Sequence, residues 1–364
     1  MAVGVFAGLL LVTSTPSAPF AMAAKAQSGL ALWKPGGVEC NGTAIEAAGL
    51  RRPLNSLYRA AAGRERHLTL MFDIDADGRP VSISNDDNRL GPSSDVAPAL
   101  AASRFEAHAR RGCKVTYAMS VEPLDSVALP ELVSYTLNPD AMRLPQAAWQ
   151  RIAGQGDCAQ EPRPRPLLRA YPDFSEVEAS PGARDWTLVG YDTDAGGRPR
   201  AIHAIMGTGN TQLTKAAQKA VAQSRFTGGA RSHCTYPYWR APAVLPAPAM
   251  PDGDAFPTSA GCPAEVEWET PPRPRFPAAY ERRRIEGWAI VAYDIAPWGA
   301  LGNLKVLAAQ PADDFGQQAL TMMRHAKAKA GGEGASGCIQ RLRFAMAKDA
   351  DEDGGSAADG RTGG

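Results

Sequence analysis

The chain has 364 residues, of which 44% are hydrophobic and 21% charged, and its formal net charge at pH 7 is +1. A length of this order exceeds that of one ordinary domain, while the composition is typical of globular proteins. Because the net charge is close to zero, no global field would attract nucleic acid or an anionic membrane, and the sequence predicts no nucleic-acid partner.

The N-terminal segment carries an apolar run from Ala2 to Val12. This run is shorter than the roughly 20 residues that a helix needs to cross a bilayer. Small-residue cleavage patterns follow at 21–23 and 24–26, so we predict a secretory signal peptide over residues 1–26. No Lys or Arg precedes the run, so retention as a membrane anchor stays an alternative, and membrane contact is expected only in that case.

Six cysteines divide the chain into three similar segments. The two cysteines of each segment are separated by 73, 76 and 76 residues. This spacing predicts one disulfide per segment, namely Cys40–Cys113, Cys158–Cys234 and Cys262–Cys338. Closing loops of this size restricts the unfolded chain by up to ~4.5 kcal/mol in the chain-entropy model. No Cys-x-x-Cys is present and no His lies at ligand spacing, so we expect no metal site.

Each segment carries two predicted strands after its first cysteine, separated by a glycine-containing turn that is typical of a hairpin. The first strands are His67–Ile74, Asp185–Asp192 and Gly287–Ile295, and the second strands are Val81–Ser84, Ala201–Met206 and Leu304–Ala309.

A helix and a last strand follow each hairpin. Apolar residues at helical spacing predict helices over Ser94–Ala102, Thr211–Ala222 and Asp313–Ala326. We expect Asn210 or Thr211 to cap the second helix, and Asp313 or Asp314 to cap the third. The second cysteine of each segment opens the last strand, which in the third segment is Ile339–Met346.

The sequence therefore predicts an α+β fold of three tandem units. Each unit is a small antiparallel sheet with one helix in the order β-β-α-β, closed by one disulfide. The predicted divisions are the signal peptide 1–26, unit 1 at 38–121, a linker at 122–157, unit 2 at 158–240, a Pro-rich linker at 241–261, unit 3 at 262–347 and a disordered tail at 348–364.

The third unit resembles the C-terminal domain of the TonB family, the periplasmic energy transducers. The resemblance is carried by Phe276-Pro277, by Arg284-Ile285-Glu286-Gly287 before the first strand, and by Phe315 and Ala319-Leu320 in the helix. Units 1 and 2 resemble this domain only as degenerate copies.

The resemblance implies a non-enzymatic binding module of the periplasm without a small-molecule cofactor. Such a domain would bind an extended peptide, such as the box of a TonB-dependent outer-membrane receptor or a segment of another envelope protein, by adding it as a strand beside its own last strand. The implied edge consists of Ile339, Gln340, Arg341, Leu342, Arg343 and Phe344, and the motif residues Phe276, Pro277, Arg284, Glu286 and Gly287 are the implied family positions.

Two departures from the family shape the expected role. A motor protein of this family carries an N-terminal membrane helix with a His and a long Pro-rich arm. This chain has a short apolar run without His and no such arm, so we expect binding without a motor anchor of its own. The alternative is a structural envelope scaffold of disulfide-closed repeats that binds no receptor.

Other motifs indicate turns rather than sites. Asp73-Ile-Asp75-Ala-Asp77-Gly78 matches the start of a calcium loop, but its twelfth position is Ser84 instead of the bidentate Glu. The Gly-x-Gly-x-x-Gly run at 332–337 follows a predicted helix and precedes a strand, the reverse of a dinucleotide fingerprint. No catalytic motif is found, which favours a protein that is not an enzyme.

Overall fold

The computed structural model describes residues 28–59, 66–85, 94–138, 143–154, 156–273 and 275–347. The predicted signal peptide 1–26 and the predicted tail 348–364 lie outside the described residues. Within the described ranges, no helix is both long enough and apolar enough to cross a membrane.

The first part of the chain forms one large antiparallel sheet and a short helix. Its elements are β1 (Ser28–Cys40), β2 (Thr43–Ile45), β3 (Ala47–Gly49), β4 (Ser56–Arg59), β5 (Arg66–Ile74), β6 (Pro80–Asn85), α1 (Val96–Ala101), β7 (Arg104–Phe105) and β8 (Arg110–Pro123). The strand order is β2-β1-β8-β5-β6, with β4 paired to β1.

Two helices and a second, three-stranded sheet follow. The elements are α2 (Leu129–Leu137), α3 (Gln146–Ala153), β9 (Pro166–Leu168), β10 (Asp185–Thr193), β11 (Pro199–Gly207), α4 (Thr211–Gln223), β12 (Arg225–Phe226) and β13 (Arg231–Arg240). The strand order is β11-β10-β13, while β9 pairs with β12.

The last part repeats this arrangement. Its elements are β14 (Trp268–Thr270), α5 (Ala278–Arg283), β15 (Gly287–Ile295), β16 (Leu301–Gln310), α6 (Asp313–Arg324), β17 (Lys327–Ala328) and β18 (Ala335–Phe344). The sheet order is β16-β15-β18, and β14 pairs with β17. The α+β prediction with antiparallel sheets is confirmed, and the second and third sheets are small, whereas the first has six strands. In each sheet the predicted first strand lies between its hairpin partner and the last strand.

Side-chain alternation explains why these strands form. Along β5, every second residue from Leu68 to Ile74 is buried, and the same holds along β8 from Cys113 to Met119. This alternation places one face of the sheet against a core, while the other face contacts solvent or a neighbouring element.

The helix boundaries follow local signals closely. Asn210 caps α4 as predicted, because its side chain accepts a hydrogen bond from the Leu213 N–H at 2.9 Å. The predicted cap of α6 is wrong. Ala312 holds that position without a side-chain bond, and Asp313 and Asp314 lie in the first turn instead, where their negative charges face the positive end of the helix dipole.

All three predicted disulfides are present, joining Cys40 to Cys113, Cys158 to Cys234 and Cys262 to Cys338. The first bridge differs in its setting. Cys40 and Cys113 are direct cross-strand partners of β1 and β8, with their Cα atoms 3.8 Å apart. In the other two pairs the first cysteine lies outside a strand, and the Cα atoms are 5.4 and 5.6 Å apart.

The three sheets share a bulge at their last strands. An aspartate near the end of the first hairpin strand (β5, β10 or β15) accepts a hydrogen bond from the backbone N–H of the residue before the second cysteine. The pairs are Asp73 with Gly112, Asp192 with His233 and Asp294 with Gly337, at 2.9, 2.7 and 2.8 Å. All three donors have φ between 53° and 68°, a left-handed conformation that suits glycine at two of the positions.

The hairpin glycines make a second contact common to all three sheets. The carbonyl of each accepts a hydrogen bond from a short strand that follows the helix. The pairs are Gly78 with Phe105, Gly197 with Phe226 and Gly299 with Ala328, at 2.9 to 3.0 Å. Each glycine has positive φ, and a Cβ on it would overlap the carbonyl oxygen of the same partner. The glycines of the predicted hairpin turns are therefore packing positions as well as turn residues.

The first sheet contains a strand that the sequence analysis missed. β1 begins ten residues before the predicted start of unit 1 at residue 38 and pairs with β8 from Gly29↔Pro123 to Cys40↔Cys113. Its Leu30 and Leu32 are buried in a small core with α2 and α3. Helices α2 and α3, which lie within the predicted linker 122–157, thus cover part of the first sheet. Val133 and Leu137 of α2 also pack with Trp186 and Leu188 of the second sheet.

The first and third sheets share one hydrophobic core, although the second lies between them in sequence. Residues such as Leu100 and Tyr117 belong to the same buried cluster as Tyr280, Phe315 and Phe344. The edges of the two sheets also meet: the Ile83 N–H donates to the Pro311 carbonyl at 2.9 Å, and Gln310 and Ser82 exchange two hydrogen bonds.

A buried arginine joins all three parts at this junction. The Arg283 guanidinium forms a bidentate pair with Asp95 and donates to the carbonyls of Gly182 and Arg52 at 3.0 and 2.9 Å. Both side chains of the ion pair are only 5% exposed. Asp95 also accepts the Leu54 N–H at 2.6 Å, so the carboxylate is well supplied with donors.

Candidate functional site

The last strand of the third sheet, β18, has two distinct faces. Leu342 and Phe344 lie in the core, where the Phe344 ring is 5.2 Å from that of Phe315. Ile339, Arg341 and Arg343 alternate with them and lie on the opposite face. The predicted edge residues are therefore divided between packing and the outer face.

β18 has a strand on one side only. It pairs with β15 from Gly287↔Phe344 to Ile295↔Ala335, and in the described part of the chain the sheet ends there. A single backbone bond reaches its start, from the Ser259 N–H to the Gly337 carbonyl at 3.1 Å. An edge of this kind presents backbone donors and acceptors to an incoming strand.

The register identifies which backbone groups face outward. In the second sheet, Pro237 of β13 lies opposite Leu188. Proline has no N–H to donate to β10, so at this position the backbone faces the outer side. The third sheet has the same register, with Arg341 opposite Ile290. Because bonded and non-bonded positions alternate in antiparallel pairs, the outward groups of β18 belong to Ile339, Arg341 and Arg343.

The Arg341 side chain holds the preceding linker against the sheet. Its guanidinium donates to the carbonyls of Pro251, Asp252 and Gly253 at 2.9 to 3.2 Å. On the same face, the Trp288 Nε1–H donates to the Pro248 carbonyl at 2.8 Å. The predicted Pro-rich linker thus crosses the face of the sheet that lies away from α6, and the Arg341 side chain is occupied while its backbone faces the edge.

The family motif positions support β18 from its far end. The Phe276 ring packs edge-on against Phe344 at 5.9 Å, and Pro277 holds the cap position of α5. Arg284 ends that helix in the left-handed conformation, with φ of 55°. Glu286 accepts a hydrogen bond from the Met346 N–H at 2.8 Å, just beyond β18.

Gly287 explains why the motif ends in glycine. A Cβ at this position would lie 2.5 Å from Cε1 of Phe315 and 2.6 Å from the Gln310 carbonyl oxygen. Without a side chain, the first residue of β15 lets the Phe315 ring pack directly on the strand. The motif residues are therefore brought together around the core that carries β18, rather than along its open edge.

A half-buried acid lies beside the same core. The Tyr280 hydroxyl donates to Asp314 Oδ2 at 2.7 Å. Burial raises the pKa of the Asp314 carboxyl, and the hydrogen bond from Tyr280 opposes that rise. Burial, followed by the charge of Asp314, also raises the pKa of Asp313. The N-terminus of α6 thus carries two carboxyls whose ionisation is disfavoured by burial.

The equivalent edges of the other two sheets differ from that of β18. β8 is covered along its outer side by β1. β13 is uncovered by any strand in the described residues, but it contains Pro237. The sequence analysis missed both features, although a proline inside a strand pattern is a signal of an edge strand and Leu30 and Leu32 alternate with small residues.

Comparison with known proteins finds a family match for the last part of the chain. Residues 272–345 match the family model of the Gram-negative bacterial TonB protein C-terminal region. The match contains β18 and all the motif positions described above, and it confirms the resemblance to the TonB C-terminal domain.

Curated relatives agree with this match. The chain is 30% identical over 128 residues to Protein TonB of Klebsiella pneumoniae, covering 35% of this chain and 49% of that protein. It is 33% identical over 72 residues to Protein TonB of Escherichia coli K12, and 34% identical over 74 residues to that of Salmonella typhimurium LT2. Each of these last two alignments covers 20% of this chain and 30% of the relative, so the chain spans half or less of the length of these relatives.

Proposed function

We propose that this protein, whose residues 272–345 match the TonB C-terminal family, is a TonB-like envelope protein that binds extended peptide segments by strand addition to β18. The observation that carries the proposal is the outer edge of β18, where Ile339, Arg341 and Arg343 present backbone groups without a strand partner in the described residues. Main-chain hydrogen bonds supply affinity in this mode of recognition, and alternate side chains supply selectivity.

The partner we propose is a TonB-dependent outer-membrane receptor, through its extended box, or another envelope protein with a similar segment. The periplasm is the proposed compartment, since three disulfides stabilise the fold and persist in oxidising surroundings. The role is non-catalytic, and it requires neither a cofactor nor a motor anchor in this chain.

We further propose that the three sheets are degenerate copies of one unit, with boundaries near 38–121, 158–240 and 262–347. Shared features support this proposal: the aspartate that accepts the N–H before the second cysteine, and the hairpin glycine that contacts the short strand after the helix. Neither feature is required by an antiparallel hairpin in general, so their recurrence favours a common origin.

The proposal is tested by calorimetric titration of the oxidised protein, without its first 26 residues, with synthetic receptor-box peptides. We expect saturable binding that is lost in Arg341→Pro, because proline removes the central outward N–H. The second sheet has a proline at the equivalent position, Pro237, so we expect the third sheet to accommodate one at 341. Arg341→Ala is the control, since it removes the contacts to the linker but keeps the N–H. Absence of binding to every box peptide at high micromolar concentration would refute the proposal.

A structural envelope scaffold is the second candidate. The observation that favours it is the core shared by the first and third sheets, which gives the chain a fixed arrangement that peptide binding alone does not require. A pull-down from envelope extract distinguishes the two roles. A scaffold should recover the same proteins with the Arg341→Pro variant as with the unaltered protein, whereas a peptide-binding protein should lose its partners in that variant.

A further inference from the structure

The three sheets present the same edge in three different states. The last strand of each is β8, β13 or β18, and each pairs on its inner side with the first strand of the hairpin, which is β5, β10 or β15. The register of β13 and β18 against that strand is the same, with Tyr191↔Cys234 in one and Tyr293↔Cys338 in the other. The three sheets differ in what lies on the outer side of this last strand.

The edge of β8 is filled by the chain itself. β1 runs antiparallel along it, with one irregularity between Pro35 and Val38. Ion pairs cross the two strands at Glu39–Lys114 and Lys34–Glu122, at 3.1 and 3.7 Å. The Cys40–Cys113 bridge fixes the end of the pairing covalently. β1 also pairs on its far side with β2 and β4, so it is an interior strand that no incoming peptide can replace at low cost.

A proline within β13 hinders the addition of a strand at its edge. Pro237 occupies the middle outward position, where an added strand would need a backbone donor. Proline at an outward-facing position is one of the means by which edge strands avoid pairing with other chains. The equivalent position in the third sheet is Arg341, which keeps its N–H.

We infer that, among the last strands β8, β13 and β18 of the three described sheets, β18 alone accepts an added strand, because β1 fills the equivalent edge of the first sheet and Pro237 closes that of the second. The inference rests on the proposed function for the nature of the ligand, an extended peptide, but the state of each edge is a property of the free protein. The pairing of β1 with β8 also provides an example within this molecule of how long a stretch such an edge can hold, from Gly29 to Cys40.

Amide hydrogen exchange measured by NMR tests the inference without a ligand. We expect the outward amides of Ile339, Arg341 and Arg343 to exchange at least about tenfold faster than the inward amides of Gln340 and Leu342. Along β8, the amides that face β1 in regular pairing, such as that of Ala118 opposite Lys34, should be protected to the same degree as their neighbours. Equal protection of both sets of amides in β18 would overturn the inference.

Native mass spectrometry with a synthetic receptor-box peptide tests the number of sites. One peptide per chain is expected, lost in Arg341→Pro and kept in Arg341→Ala. Pro237→Val should add a second peptide per chain, because it restores the outward donor of β13. Two peptides bound to the unaltered protein, or a persistent single peptide in Pro237→Val, would overturn the inference. Complete absence of binding alongside the expected exchange pattern would refute the proposed function and leave the single open edge standing.

Discussion

The guanidinium of Arg283 and the carboxylate of Asp95 form a bidentate ion pair, at 2.8 and 2.5 Å, across 188 residues of sequence. Both groups are almost fully buried. The pair lies where the first sheet, the third sheet and the loop at Gly182 meet, so it determines how three separately bridged parts are arranged. A buried charge pair of this kind contributes specificity of arrangement more than net stability.

Replacing Arg283 by Met should lower the free energy of unfolding by about 3–5 kcal/mol, because Asp95 would remain buried without its counter-charge. Urea denaturation followed by circular dichroism measures the change. The double variant Arg283→Met with Asp95→Asn should recover part of the loss, since the amide is neutral and its oxygen can still accept the Leu54 N–H.

A surface ion pair supplies the control for this prediction. Arg163 and Glu161 are paired at 3.0 Å, but their side chains are 54% and 76% exposed. Arg163→Met should therefore change the free energy of unfolding by less than about 1 kcal/mol. A similar effect of the two arginine substitutions would contradict the proposed role of the buried pair.

Gly287→Ala should destabilise the third sheet by about 1–3 kcal/mol, because the new methyl group would overlap Phe315 and the Gln310 carbonyl. Thermal unfolding measures the loss. Gly302→Ala in β16 is the matched control, since nothing lies within 4 Å of the added Cβ. Equal behaviour of the two variants would show that the close packing of Phe315 on β15 is not what requires glycine.

Removing either of two bridges should have nearly the same cost. Cys158–Cys234 and Cys262–Cys338 each span 76 residues, so the chain-entropy model assigns equal stabilisation, about 2–4 kcal/mol in practice. The variants replace both cysteines of one bridge by Ala, and urea denaturation compares them. A difference larger than about 1 kcal/mol would mean that the entropy of the unfolded chain is not the main term.

The stability of the protein should depend on Asp314 in the acidic range. Burial raises the pKa of this carboxyl in the folded state, while its unfolded value is about 3.9. A raised folded pKa favours the protonated form, so the contribution of Asp314 to stability is present below the unfolded pKa and is lost as pH rises through the folded pKa. Asp314→Asn should therefore become more stable relative to the unaltered protein as the pH rises above about 4.

Tyr280→Phe provides the complementary variant. It removes the hydrogen bond that holds the pKa of Asp314 down, so the loss of stability with rising pH should become steeper than in the unaltered protein. Free energies of unfolding from urea titrations at several pH values measure both effects. An unchanged pH profile in both variants would contradict the assignment of this dependence to Asp314.

Features repeated within the chain could be predicted from the sequence, because each is a local pattern. The cysteine spacing gave all three bridges, and the apolar period with Asn210 as cap located α4. The cap of α6 was misplaced by one or two residues, since acidic residues suit both the cap and the first turn and the sequence does not separate the two positions.

Contacts between distant segments could not be predicted in this way. The pairing of β1 with β8 and the core shared by the first and third sheets depend on which apolar faces meet. Local periodicity marks a face as apolar without naming its partner. The edge of β18 is a further example. The strand itself was predicted, but no local pattern shows that it has no outer strand partner in the described part of the chain, or that Arg341 holds the linker against the face of the sheet.

The core shared by the first and third sheets also delays the completion of folding. Asp95 and Arg283 are separated by 188 residues, so the two halves of this core do not become available at the same time as the chain emerges into the compartment where it folds. Until Tyr280 and Phe315 have emerged, the apolar side of the first sheet, including Leu100 and Tyr117, lacks these packing partners. A chaperone that shields this surface until the chain is complete would raise the yield of folded protein, and truncation before residue 280 would leave the surface exposed permanently.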